Sequence, residues 1–228
     1  SVAVLAIASI FYVYKTNILT QNQKTAIKKE EVITTAEEIA SENIETSATN
    51  SMINSFQPEE LDVVFGNESA PITIIEYASF GCSHCADFAK SVFPDVEDKL
   101  IKTSKANFVL RSFPLDAPSL MASVLVNCVP KSDYYKFAKT LFQTNQKWAY
   151  TKKYKEELLN IFRASGYDAQ KFDECTNDKK LEESILKVRL NGSKKYKIAS
   201  TPSFIINSKN YGSIKGIEGF ENIIKSEL

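Results

Sequence analysis

The run Ile72-Thr73-Ile74-Ile75-Glu76-Tyr77-Ala78-Ser79-Phe80-Gly81-Cys82-Ser83-His84-Cys85-Ala86-Asp87-Phe88-Ala89 holds two cysteines two residues apart. The stretch before them, Ile72 to Tyr77, is rich in β-branched and aromatic residues and reads as a strand. After them, Cys85, Phe88, Ala89, Val92 and Phe93 recur at i, i+3, i+4, i+7 and i+8, one apolar face of a helix. The spacing therefore sets Cys82 and Cys85 at the first turn of a helix fed by a strand. A helix start offers unpaired N–H groups and a partial positive charge. A thiolate is favoured there, so the position lowers the pKa of Cys82.

The rest of the chain limits what such a pair can serve. The 228 residues suffice for one sizeable domain, or a domain with an insertion. Lys and Arg together number 28, as do Asp and Glu, so no basic excess points to nucleic acid. Of the four cysteines, only Cys82 and Cys85 have metal-ligand spacing, and a second Cys-x-x-Cys or a His-x-x-x-His is missing. The simpler reading is two pairs, one local and one long-range, with no resident metal or cofactor.

The chain opens on an apolar run, Val2 to Tyr14, shorter than the roughly 20 residues that span a bilayer. It reads as the core of a signal peptide or the remainder of a membrane anchor, with a buried helix as the third reading. Either of the first two sends the remainder across a membrane, where disulfides persist. Lys15 to Pro58 is polar and glycine-free, which reads as a flexible linker. Its seam of Ile33, Ala36, Ala40 and Ile44 gives the alternative of a helix that associates with copies of itself.

Further along, Leu61 to Phe65 reads as a short strand, and Asn107 to Phe113 as another, stopped by Pro114. Pro94 predicts a kink or break in the helix after Cys82. Helical periodicity then dominates from Asp116 to about Asn191, closing near Gly192. Strand character resumes at Ser203 to Ile206, followed by a turn over Asn207 to Gly212 and a strand at Ser213 to Lys215. A final helix aligns Phe220, Ile223, Ile224 and Leu228.

The chemistry centres on the dithiol. An unperturbed cysteine has a pKa near ~8.5 and is only slightly ionised at neutral pH. The helix terminus shifts it down, and His84, the chain's single histidine, adds to that if its ring donates a hydrogen bond or carries charge beside Cys82. A stabilised thiolate stabilises the reduced form, which makes the disulfide a stronger oxidant. Cys82 is then the attacked sulfur and Cys85 the buried, resolving partner. Glu76, six residues ahead of Cys82, is read as partly buried with a raised pKa, able to take the proton of Cys85 during exchange. Arg111 or Lys105 is its candidate charge partner.

These residues resemble the DsbA family of thiol–disulfide oxidoreductases. The likeness is carried by Gly66-Asn67-Glu68-Ser69-Ala70-Pro71, by Cys82-Ser83-His84-Cys85, by Phe108 to Leu115, and by Ser200-Thr201-Pro202-Ser203-Phe204-Ile205-Ile206-Asn207. It covers about Leu61 to Leu228. The resemblance implies an α/β (α+β) thioredoxin-like central sheet interrupted by an inserted all-helical domain. From the residue readings above, 1–14 is expected to be a signal or anchor segment and 15–60 a polar linker or self-association segment. The first part of the thioredoxin fold is then 61–115, the helical insertion 116–191, and the second part 192–228. It further implies a cis Thr201–Pro202 peptide facing the cysteines, with Ser83, Thr201 and Pro202 meeting an extended substrate segment. Ser83 stands where the best-known family motif has proline, and Thr201 resembles the isomerase relatives.

The implied activity is the introduction of disulfides into secreted or periplasmic proteins, with reduced, unfolded chains as substrates. A quinone-linked membrane oxidoreductase is the implied partner for reoxidation, and the periplasm the implied location. Cys128 and Cys175 read as a structural disulfide, closing a loop worth roughly 4 kcal/mol in the chain-entropy model; a second redox pair that tunes the first is the alternative. The rival readings are an oligomeric disulfide isomerase or reductase, a Cu(I)-binding module built on Cys82, His84 and Cys85, and a peptide-binding adaptor with inert cysteines.

Overall fold

A computed structural model describes residues 56–228. The apolar run Val2 to Tyr14 and the seam from Ile33 to Ile44 lie outside the described residues. Five strands form one sheet: β1 (Val64–Phe65), β2 (Thr73–Ala78), β3 (Asn107–Ser112), β4 (Ser203–Ile206) and β5 (Lys209–Gly212). Their order is β1-β3-β2-β4-β5, with β2 and β3 parallel and the other pairs antiparallel. β2 is the middle strand, and all six of its residues are buried. A strand covered on both faces has no polar side to show, which is why its sequence runs nearly continuous in apolar residues.

Side-chain alternation splits the core in two. Ile74, Phe108, Leu110, Phe204 and Ile206 pack on one face with most of the helices, while Ile75, Tyr77, Val109 and Ile205 pack on the other with Val188 and Tyr196. Helix α1 (Ser83–Ser91) lies on the first face, where Phe88 meets Phe204 and Phe220 at ring-centroid separations of 4.8 and 5.8 Å. The break expected at Pro94 falls two residues ahead, at Val92. Helix α2 (Phe93–Val96) then starts with Pro94 in its first turn, where a missing N–H costs nothing. It runs on into a π-helical turn over Glu97–Ile101.

The helical block holds α3 (Ala117–Cys128), α4 (Tyr134–Gln143), α5 (Asn145–Trp148), α6 (Tyr154–Ala164), α7 (Ala169–Asn177) and α8 (Lys179–Tyr196). α3 is its centre and touches α4, α6, α7 and α8. Asp116, Asp168 and Asp178 cap α3, α7 and α8, each accepting a hydrogen bond from the backbone N–H three residues on. The final helix, α9, spans Gly216–Glu227.

Two boundaries differ from the sequence reading. The helix expected to close near Gly192 continues to Tyr196, so the boundary drawn at residue 191 falls inside α8. Gly192 serves close approach rather than termination: a Cβ there would lie 2.5 Å from the Tyr77 ring. The chain instead leaves the helix at Lys197, in the left-handed region with φ 56°. The last strand is Lys209–Gly212, not 213–215. The turn before it is only Asn207-Ser208, both at positive φ (47° and 62°), the backbone of a tight two-residue hairpin.

Candidate active site

β2 delivers the chain to a turn in which the Cys82 N–H donates to the Ser79 carbonyl at 3.0 Å. Cys82 is the N-cap of α1, in extended conformation (φ −73°, ψ 126°), with no side chain capping the helix. The first-turn N–H groups therefore remain for the sulfur. Both Cys82 and Cys85 are free thiols; Cys82 is half-buried and Cys85 fully buried.

The two thiols are driven apart. Cys82 is lowered to about 5, chiefly because the Cys85 thiol donates a hydrogen bond to its sulfur. Burial opposes the shift, and Thr201 and the backbone N–H groups of Cys85 and His84 reinforce it. Cys85 is pushed far up, first by burial, then by its hydrogen bond to Cys82 and by the charges of Glu76 and Cys82. The neutral Cys82 thiol donates to the Thr201 carbonyl at 3.5 Å. A thiolate cannot make that bond, but the buried Thr201 hydroxyl, which has no other partner, is a donor available to it.

The remaining expected residues fall as follows. Thr201 and Pro202 are buried and joined by a cis peptide. Ser83 and His84 are exposed. The His84 backbone N–H lowers the Cys82 pKa, as an amide at a helix start does when it points at the sulfur. Glu76 is only 2% exposed, more deeply buried than its sequence suggests. Burial first, then the Cys82 charge, raises it well above the ordinary carboxylate range.

Neither proposed cation pairs with Glu76. Lys105 is exposed. Arg111 faces the opposite side of the sheet, since it is in register with Tyr77 while Glu76 is in register with Leu110. There its guanidinium bonds Asp62 at 2.7 and 2.9 Å, Glu59 at 2.9 Å, the Tyr77 hydroxyl at 3.0 Å and the Gln57 carbonyl at 2.8 Å. Arg111 thus ties the segment from Gln57 to Asp62 onto the sheet. Among the described residues, no group of three His, Cys, Asp or Glu side chains is placed to hold a metal ion.

Two residues of the helical block reach the loop without having been singled out in the sequence. The Gly81 N–H donates to Ser119 Oγ at 3.2 Å, and the Tyr150 hydroxyl donates to the Gly81 carbonyl at 3.0 Å. A Cβ on Gly81 would lie 2.5 Å from Ser119 Oγ, so only glycine admits this contact. The glycine ahead of Cys82 is the signal; its partners, 38 and 69 residues away, are not visible in sequence. Elsewhere in the block, Cys128 and Cys175 form a disulfide that ties the end of α3 to α7, with Cα atoms 5.8 Å apart.

A cysteine pair at the start of a helix, facing a cis-proline loop across a mixed sheet, is the arrangement of a thioredoxin-fold protein, and the Thioredoxin family model matches residues 58–226. Within that class the chain belongs to the DsbA family. It is 33% identical to Wolbachia pipientis α-DsbA1, with a TM-score of 0.70 over 75% of this chain and 93% of that one. Chlamydia trachomatis DsbA shares the fold at 18% identity and a TM-score of 0.63, covering 75% of this chain and 93% of that one. A Rickettsia felis relative named "Putative protein-disulfide oxidoreductase" is 31% identical over 161 residues, 69% of this chain, and the match spans 57% of that relative's length.

Proposed function

We propose that this chain is an exported thiol–disulfide oxidoreductase that introduces disulfides into reduced proteins through Cys82 and Cys85. The observation that carries this reading is the asymmetry of the two thiols: one half-exposed and acidic, the other buried and held protonated. The acidic one is the sulfur a substrate can reach and the better leaving group.

In the oxidised protein, a substrate thiolate attacks Cys82 Sγ. The Cys82–Cys85 bond breaks, a substrate–Cys82 disulfide forms, and Cys85 leaves as a thiolate. Protonated Glu76, raised by its burial, is the proton source for that thiolate. A second substrate thiolate then attacks the substrate sulfur of the mixed disulfide, and Cys82 departs as its stabilised thiolate. Two electrons pass from substrate to protein, which is left as the dithiol. Thr201, beside Cys82, presents the backbone against which an extended substrate segment pairs.

The low Cys82 pKa favours the reduced form and so makes the oxidised form a strong acceptor. Regeneration then needs an electron acceptor, for which we propose a quinone-linked membrane oxidoreductase. The Cys128–Cys175 disulfide supports an oxidising compartment such as the periplasm.

Oxidative refolding of a reduced test protein checks the reading. The oxidised protein should restore the substrate's disulfides stoichiometrically. Cys82→Ser should abolish transfer, and Cys85→Ser should accumulate a mixed disulfide through Cys82. Transfer that survives Cys82→Ser would overturn the assignment.

A further inference from the structure

Between the break after α1, strand β3 and helix α4 lies a cavity of about 310 Å³. Phe65, Phe88, Phe93, Phe108 and Phe142 line it, and the exposed Pro94, Lys136 and Lys139 mark its mouth. Glu76 faces into it with Oε1 lacking any hydrogen-bond partner. The other buried polar group of the wall, the Tyr135 hydroxyl, is already engaged with Val63, Phe108 and Leu110. The cavity therefore offers aromatic surface and one unmet polar group.

Charge narrows what fits. Glu97, the other acidic residue of the lining, is paired with Lys102 at 3.3 Å, so a cation would still have to pass Lys136 and Lys139, and an anion would end against the Glu76 carboxyl group. A neutral hydroxyl can both donate to and accept from that group. We propose that this cavity binds a small neutral aromatic alcohol, its ring against the phenylalanines and its hydroxyl on the Glu76 carboxyl. Occupancy would tie up the group that exchanges a proton with Cys85 and so slow thiol exchange; this consequence, unlike the binding itself, rests on the oxidoreductase reading.

The test is a titration of the full chain with p-cresol, and with toluene as the probe lacking the hydroxyl, followed by the methyl signals of Ala89 and Ala138. Saturable one-site shifts are expected, with p-cresol binding about tenfold more tightly, one net hydrogen bond's worth. Ala138→Met, which fills the cavity from α4, should abolish the shifts. Glu76→Leu should reduce p-cresol to the affinity of toluene. A Cys82→Ser/Cys85→Ser double variant should bind p-cresol unchanged, so that failure of the redox reading leaves the site standing. Absence of saturable shifts, or equal affinity for the two probes in the unaltered protein, would overturn the proposal.

Discussion

Glu76 shows how much one buried carboxyl can cost and what it supplies in return. It has no cation and no hydrogen-bond partner for Oε1, in a position only 2% exposed. An unpaired buried polar group destabilises by about 1–3 kcal/mol. Glu76→Leu should therefore raise the stability of the protein by about that amount in urea unfolding, while exchange with a reduced peptide slows at neutral pH. Loss of stability with unchanged exchange would contradict the role given to this residue. Its partial burial was legible in the neighbouring Ile74, Ile75 and Tyr77; its isolation was not. Arg111 looked like a partner because it lies on the next strand, but register and alternation put it on the other face. Similarly, the acidity of Cys82 was legible from its place before a helical stripe. The largest contribution to it comes from the Cys85 thiol, a matter of side-chain geometry that spacing does not give.

The elements around the site have their own tolerances. In α8, Gly192 lets the helix pass over the Tyr77 ring, and the sequence reading mistook it for a stop because a glycine's local signal is the same in both roles. Gly192→Ala should overpack this contact and cost about 1–3 kcal/mol, read as a lower urea midpoint. A neutral outcome would mean that Tyr77 moves aside freely. The disulfide between α3 and α7 separates residues 47 apart in sequence. Removing it as Cys128→Ala/Cys175→Ala should lower stability by about 4 kcal/mol on the chain-entropy account, with Cys82 still acidic. A shift of the Cys82 titration in that variant would instead favour the reading in which the second pair tunes the first. The β5 hairpin was misplaced by four residues because Asn207-Ser208 is a weaker turn signal than Asn-Gly, and the exposed strand after it carries little apolar alternation.

Across the whole molecule, the acid thiol links redox state to stability. In the reduced protein, Cys82 titrates near 5 when folded and near ~8.5 when unfolded. Between these values the unfolded chain holds the proton and the folded chain has released it, so the stabilisation is present above the unfolded pKa and is lost as pH falls through about 5. Glu76, with its folded pKa raised, acts in the opposite sense; the larger part, from burial, is common to both redox forms, and only the smaller part due to the Cys82 charge is confined to the reduced form. The stability of the reduced form relative to the oxidised form should therefore grow from about pH 5 to about pH 8, as measured by urea unfolding of each form. A difference independent of pH would count against the coupling. The overall architecture was legible because strand, cysteine pair and helix follow one another in the sequence, and a helical run separates them from the later strands. The grip of Ser119 and Tyr150 on Gly81 was hidden, because it depends on how the helical block meets the loop. The central claim is tested most directly by following the ultraviolet thiolate absorbance of the reduced protein against pH. A single ionisation near 5 that disappears in Cys82→Ser is expected; an ionisation at the ordinary cysteine value of about 8.5 would contradict it.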